Sequence, residues 1–351
     1  MRGLVLTVVV VASAQAQWTL QESHTNASLR GIHNIGGGVA WASGTQGAVL
    51  HTIDDGQTWQ TCGVPPGAEK LDFRGVQAFD RSTAIIMSSG TGDLSRLYKT
   101  TDACGTWKLV FTNPDRNGFW DALQFSGRTL GALIGDPVDG HFPIFISINA
   151  GDTWQRLDPK ALAATDKNQS FFAASNTSLL VDAPRKKLYL VTGGGTSSLL
   201  IVDMYPTVLH SMHLDMAKGE TAGGFSLASR DAGANRIFVS VGGDYKAPEQ
   251  TKGTAATWTD DPRQRAEWHA SDTPPHGYRS AVAYDAVAKM WIAVGPNGTD
   301  VSNDDGHNWR ALRPAAGDAR DADKNWNALS LPFAVGPNGR IGKLNSHAFV
   351  R

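Results

Sequence analysis

Four times this chain repeats one eight-residue turn that ends in tryptophan, at 52–59, 100–107, 147–154 and 302–309. The closing residues Trp59, Trp107, Trp154 and Trp309 are spaced 48, 47 and 155 residues apart, so the last gap has room for two copies that have lost the turn. A fixed period of this length marks a repeat architecture, in which each unit is one supersecondary motif too small to bury its own apolar face. The turn follows the Asp-box pattern Ser/Thr-x-Asp-x-Gly-x-x-Trp. Its marker residues are Asp54, Gly56 and Trp59, then Asp102 and Trp107, then Asn149, Gly151 and Trp154, then Asp304, Gly306 and Trp309. Short polar side chains cap the backbone of a tight hairpin, glycine supplies a positive φ, and tryptophan packs beneath. The box is therefore a folding device and carries no chemistry.

A second count gives the number of units. Apolar, β-rich runs stop at glycine seven times, at 40–44, 85–90, 132–135, 188–193, 237–242, 291–295 and 333–336. Short strands, turn glycines and one Trp-bearing hairpin per unit predict an all-β fold, a seven-bladed β-propeller with Asp-box hairpins. The last repeat ends without its tryptophan, and Trp18-Thr19-Leu20 resembles Trp107-Lys108-Leu109 of an intact copy. An open ring would leave bare sheet edges, so the N-terminal strand is expected to complete the last blade. Residues 17–351 then form one propeller domain.

Residues 1–16 read differently. A basic start, Met1-Arg2-Gly3, precedes an apolar stretch over 4–12 and the small-residue segment Ala14-Gln15-Ala16, which predicts a secretory signal peptide cleaved near Ala16. The apolar run is too short to span a bilayer. The expectation is a periplasmic or secreted monomer without membrane insertion. A formal net charge of −1 lacks the basic field that nucleic-acid binding needs. The two cysteines, Cys62 and Cys104, fall in adjacent units, and in an oxidising compartment a disulfide between them is reasonable; the alternative is two buried thiols. No spacing suggests a metal site, and no glycine pattern implies a nucleotide cofactor.

The first repeat, with Leu29-Arg30-Gly31-Ile32-His33, Ala40-Trp41-Ala42 and the run from Gly47 through His51 to Trp59, resembles the photosystem II stability and assembly factor family. Segments 135–140, 172–176 and 242–249 look like its heterotrophic bacterial branch, usually labelled only as assembly-factor-like, Asp-box or glycosyl-hydrolase-like. The resemblance implies a seven-bladed propeller outside the cytoplasm that acts without catalysis. It is specific for fold and weak for activity, because sialidases, xyloglucanases and receptor ectodomains also carry Asp-boxes.

Function must then lie at the channel mouth. Aligning the repeats on their glycines places Arg30, Arg74, Asp121, Ser178, Ser226, Arg279 and Asn327 at the start of the innermost strands. Leu29, Phe73, Trp120, Thr177, Phe225, Tyr278 and Trp326 precede them. Converging guanidiniums bind oxyanions bidentately, and the family's arginine patch would match Arg30, Arg74 and Arg279. The candidate site adds Asn176, Glu220 and Asp244. The sequence thus points to a binding scaffold for an acidic or carboxylate-bearing partner, an envelope protein or a small anionic or glycan ligand. The alternative that the arginines merely stitch blades together stays open. So does a carbohydrate-active propeller, a lectin or a sialidase-like glycosidase, which would need two carboxyls roughly 5–10 Å apart across a groove.

Overall fold

A computed structural model describes residues 17–263, 266–315, 318–345 and 349. The expected signal peptide and its cleavage site lie outside these residues. Seven four-stranded antiparallel sheets form the blades, and their first strands contact one another around a central channel. In chain order these are β2 (Leu29–Gly36), β6 (Phe73–Ala78), β10 (Trp120–Ser126), β14 (Leu179–Asp182), β18 (Ala222–Ala232), β22 (Ala281–Asp285) and β26 (Ala328–Ser330). The expected closure is present. β1 (Trp18–Gln21) pairs in register with β28 (Ile341–Leu344), Trp18 opposite Leu344 and Gln21 opposite Ile341, so the two chain ends complete blade 7.

The apolar runs that count the blades are the second strands, such as Val39–Gly44, Ala84–Ser88 and Met290–Gly295. They lack polar alternation because both faces are covered, one by each neighbouring blade. The core is accordingly divided. Among the described residues it forms seven apolar clusters, each drawn from two adjacent blades. Blade 1, for instance, contributes Leu29, Leu50 and Trp59 to a cluster completed by Ala328, Phe333 and Ile341 of blade 7.

Side-chain hydrogen bonds explain the periodic turn. In blade 1, Gly56 N–H donates to Thr52 Oγ1 at 3.0 Å, Thr52 Oγ1–H donates to Asp54 Oδ1 at 2.8 Å, and Thr58 N–H donates to the same oxygen at 2.9 Å. Asp55 and Gly56 both have positive φ, 62° and 81°, the left-handed conformation that glycine adopts without strain. Ser302, Asp304 and Asn308 repeat the network in blade 6. The tryptophan then joins its blade to the preceding one: Trp59 meets Phe333 of blade 7 edge-on at 5.6 Å, and Trp107 meets Trp41 of blade 1 edge-on at 6.5 Å. Blades 4 and 5 have no box. Blade 4 instead turns at the cis Tyr205–Pro206 bond between β16 (Ser198–Met204) and β17 (Thr207–His213). Its His210 and His213 lie on that outer strand, His210 beside Asp203 at 3.2 Å.

Candidate functional site

Four inner strands, those of blades 1, 2, 3 and 5, begin with an irregularity that decides what faces the channel; in blade 5 the register skips Phe225. In blades 1, 2 and 3 the register skips Arg30, Arg74 and Asp121, so these are bulge residues, which re-aim a side chain out of the ladder. Inter-blade hydrogen bonds fix the equivalent position elsewhere. Leu29 N–H donates to Gly336 O, Trp326 N–H to Gly295 O, Arg279 N–H to Gly242 O and Gly224 N–H to Thr192 O. Leu29, Trp326, Arg279 and Gly224 are therefore equivalent, and the ring residues that follow them are Arg30, Asn327, Ser280 and Phe225. In blade 4, Val191 N–H bonds the Ser178 carbonyl, which makes the ring residue Thr177. The structure thus corrects the glycine alignment at three blades: Thr177, Phe225 and Ser280 occupy the ring, and Ser178, Ser226 and Arg279 each stand one residue further along or back.

The correction changes the charge of the mouth. Arg279 points into blade 6, where it is 1% exposed and donates from Nε to Asp300 Oδ2 at 2.7 Å, with further bonds to Tyr278 O and Asn297. A guanidinium so paired is structural. Asp300, also buried, accepts from His276 as well. The mouth keeps two arginines, not three.

Those two converge on a cavity of about 420 Å³ lined by Arg30, Arg74, Phe172, Phe225, Tyr245, Tyr278, Ser280, Trp326 and Asn327, together with Ala173, Ala174 and Pro296. Arg74 donates from Nε to Asp72 at 2.8 Å and from Nη1 to Ala173 O at 3.1 Å. Arg30 Nε stands 3.8 Å from the same carboxylate and makes no hydrogen bond. Burial first, and the Arg74 charge second, lower Arg30 from the ordinary guanidinium range. Two cations facing one ionised carboxylate leave this mouth electropositive, with one guanidinium holding unused donors.

The opposite wall is aromatic. Phe172 and Phe225 stack with centroids 4.0 Å apart and planes 1° apart, Tyr278 meets Phe225 edge-on at 4.8 Å, and Tyr245 lies edge-on to both phenylalanines. Burial pushes the Tyr278 hydroxyl far above its usual value, so it stays a neutral donor. Asn327 Nδ2–H donates to Leu29 O at 2.8 Å, which ties blade 7 to blade 1.

Other candidates lie elsewhere. Trp120 is buried in the core against Phe111. Asn176, with a φ of 65°, exchanges two hydrogen bonds with the Leu123 backbone and joins blade 3 to the start of blade 4. Trp326 is also core, tilted against Trp18 at 5.1 Å, and lines the cavity as well. Glu220 is exposed on the approach to β18. Asp244 closes a local turn, accepting from Thr221 Oγ1 and Lys246 N–H at 2.7 and 2.9 Å.

Asp121 faces inward but is only 1% exposed. Burial first, and then the neighbouring Asp136, raise it well above the carboxylate range; Asp136, which accepts from Phe171 N–H at 2.9 Å, is itself pushed up by burial to about 6. This acidic pair underlies the 171–174 loop that forms one cavity wall. Sequence reasoning did not find Asp72 or the ring position of Ser280; the aromatic bulge at Phe225 was visible only as a neighbour.

The sulfur atoms of Cys62 and Cys104 are bonded, joining blades 1 and 2 across a sequence separation of 42. His51 lies beside them: a ring nitrogen and both sulfurs all fall within 4.8 Å of one another. The sequence spacing had suggested no such set.

A ring of seven blades around an arginine-and-aromatic mouth defines the class, a seven-bladed β-propeller with a cavity at one mouth of its channel. No protein-family model matches the chain, and no curated protein matches it. Solved structures do. YCF48 bound to D1 peptide superimposes with a TM-score of 0.63 at 15% identity, over 94% of this chain and 97% of that one. YCF48 from Cyanidioschyzon merolae gives 0.63 at 18% identity, over 94% and 99%. A GH74 xyloglucanase from Xanthomonas campestris gives 0.63 at 14% identity; the match covers 96% of this chain and 54% of the xyloglucanase. These likenesses establish the propeller fold, which this chain shares with YCF48 and with the xyloglucanase. Among the described residues no helix is long and apolar enough to cross a membrane.

Proposed function

We propose that this protein is a non-catalytic binding scaffold of the assembly-factor type, whose channel mouth takes a carboxylate-bearing segment of an envelope protein. The observation that carries it is Arg30, a partly buried guanidinium aimed into an aromatic-walled cavity with its Nε unbonded. A carboxylate would supply the missing acceptor in a low-dielectric site, where charge-assisted hydrogen bonds are strongest. The rings opposite suit an apolar or aromatic side chain beside that carboxylate. A structural neighbour, YCF48, binds a D1 peptide, which supports a peptide as ligand. No aspartate or glutamate is among the lining residues, and this supports binding over glycoside hydrolysis, whose paired carboxyls must face each other across substrate.

Export fits the same picture. The basic start, apolar stretch and small residues up to Ala16 supply a leader, and a disulfide between blades suits an oxidising compartment. We place the chain in the heterotrophic branch of assembly-factor-like propellers on segments 135–140, 172–176 and 242–249, working as a monomer.

The test is fluorescence anisotropy with labelled peptides carrying a free C-terminal carboxylate or an internal glutamate, against amidated and glutamine controls. Free carboxylates should bind, and Arg30→Ala should weaken them by about tenfold or more, the scale of a lost charge-assisted hydrogen bond. Equal binding of carboxylate and control peptides, or an unchanged Arg30→Ala variant, would sink the proposal.

A further inference from the structure

Three features meet at the outer edge of blades 1 and 2, away from the channel mouth. First, Cys104 occupies the box position that is Gly56, Gly151 and Gly306 in the other blades, and it does so at a φ of 62°. A side chain in the left-handed region is held there at a conformational cost that glycine avoids. Second, Cys62 follows the outermost strand of blade 1, β5 (Gln60–Thr61), and the two sulfurs meet across the blade boundary. Third, His51, from β4 (Val49–Thr52), stacks on Trp41 at 4.8 Å and presents a ring nitrogen within 4.8 Å of both sulfurs. His51 is 6% exposed, and its Nδ1 is buried with no hydrogen-bond partner. A buried imidazole nitrogen without a partner is costly unless something completes it.

We propose that this cluster is a redox-gated metal site, a disulfide when oxidised and a two-thiolate, one-imidazole ligand set for Cu(I) when reduced. A dithiol reductant transfers two electrons and two protons to the Cys62–Cys104 bond, cleaving it to two thiols while the reductant closes to its own disulfide. Cu(I) then binds both sulfurs and the His51 nitrogen and displaces the two thiol protons to solvent, leaving a complex of net charge −1. Soft thiolates select Cu(I) or Zn²⁺. Three donors complete a trigonal Cu(I) centre, whereas structural zinc takes four ligands; the described residues place only these three together. Metal–sulfur bonds of about 2.3 Å hold two sulfurs roughly 4 Å apart, a span reached by side-chain rotation over the existing Cα–Cα separation of 5.5 Å. Apolar neighbours Val49, Ala68, Leu71 and Trp107 shield the set. Thr61, Gly63 and Gly105, beside the cysteines in sequence, are exposed and give a reductant access.

The experiment uses the mature protein, reduced anaerobically with dithiothreitol, desalted and titrated with Cu(I) in competition with bicinchoninate. Reduced wild type should withdraw one Cu(I) per chain with near-UV circular dichroism unchanged. The oxidised protein and a Cys62→Ser/Cys104→Ser variant should withdraw none, and His51→Ala should bind about tenfold or more weakly. X-ray absorption should then show two sulfur neighbours and one nitrogen. The proposal is overturned if reduced protein leaves the chelator unchanged, if His51→Ala matches wild type, if zinc outcompetes Cu(I), or if reduction abolishes the near-UV signal.

Discussion

Arg279 and Asp300 face each other inside blade 6, 1% and 0% exposed, and neither reaches the channel. This pair removes one of three arginines from the mouth and makes it part of the scaffold. A buried ion pair broken from one side leaves the other charge stranded, at a cost of about 3–5 kcal/mol. Arg279→Ala should therefore lower the unfolding free energy measured by urea denaturation by that amount, whereas Arg30→Ala should change it by less than about 1 kcal/mol. Equal losses for both would show that Arg30 is structural too.

The buried acidic pair predicts a pH dependence. Asp136 titrates near 6 in the fold, above its unfolded value of about 3.9, so the native state binds the extra proton. Its contribution is complete below about pH 4 and is lost as pH rises through about 6, on the order of 3 kcal/mol. His33, held near 4 by burial, slopes the other way over the same interval. The measurable quantity is thus the difference between wild type and Asp136→Asn: between about pH 4 and 7, the variant should gain stability relative to wild type. Parallel curves would contradict the assignment. Asp54, lowered to about 2 by hydrogen bonds from Thr58, titrates below this window.

Ring closure rests on few residues. Trp18 is 2% exposed, packs on Trp326 and anchors the strand that pairs with Ile341–Leu344. Trp18→Ala should cost about 3–5 kcal/mol. Deleting residues 17–21 should open the blade 7 edge and make the 333–345 segment the first site of limited proteolysis. Wild-type protease resistance in the deletion would argue that blade 7 holds without its N-terminal strand.

Tyr245 offers a cleaner probe of the mouth than the buried rings, being 46% exposed while standing edge-on to Phe172 and Phe225. Tyr245→Ala should leave the melting temperature within about 2 °C and weaken carboxylate peptides by roughly tenfold. Unaltered affinity would place the ligand's apolar side chain elsewhere.

Blade number, the Ser/Thr and Asp caps of the repeated turn and closure by the N-terminal strand were all legible in the sequence, because each follows from interactions local to one hairpin or from an incomplete repeat. Thr52, Asp54 and Gly56 fulfil one another within five residues, and the second strands announce themselves as unbroken apolar runs. The candidate site was legible only in part. Arg30, Arg74 and Asn327 follow the repeat spacing, but the hairpin joining first and second strands varies, with 15 residues from Leu29 to Gly44 and 18 from Gly224 to Gly242. A glycine alignment cannot register that change or the bulge beside it. One residue of slip moves a side chain from the channel to the blade interface, which is how Arg279 looked like a partner of Arg30 and is instead the partner of Asp300.

By itself, then, the sequence determined a seven-bladed ring, since repeated local turns and buried strands allow few other ways to cover their apolar faces. Only the tertiary structure decided which atoms meet: Arg30 and Arg74 over Asp72, Phe172 against Phe225, and His51 beside Cys62 and Cys104. These contacts join residues far apart in the chain, and their geometry depends on strand register and blade packing, quantities that no local pattern encodes.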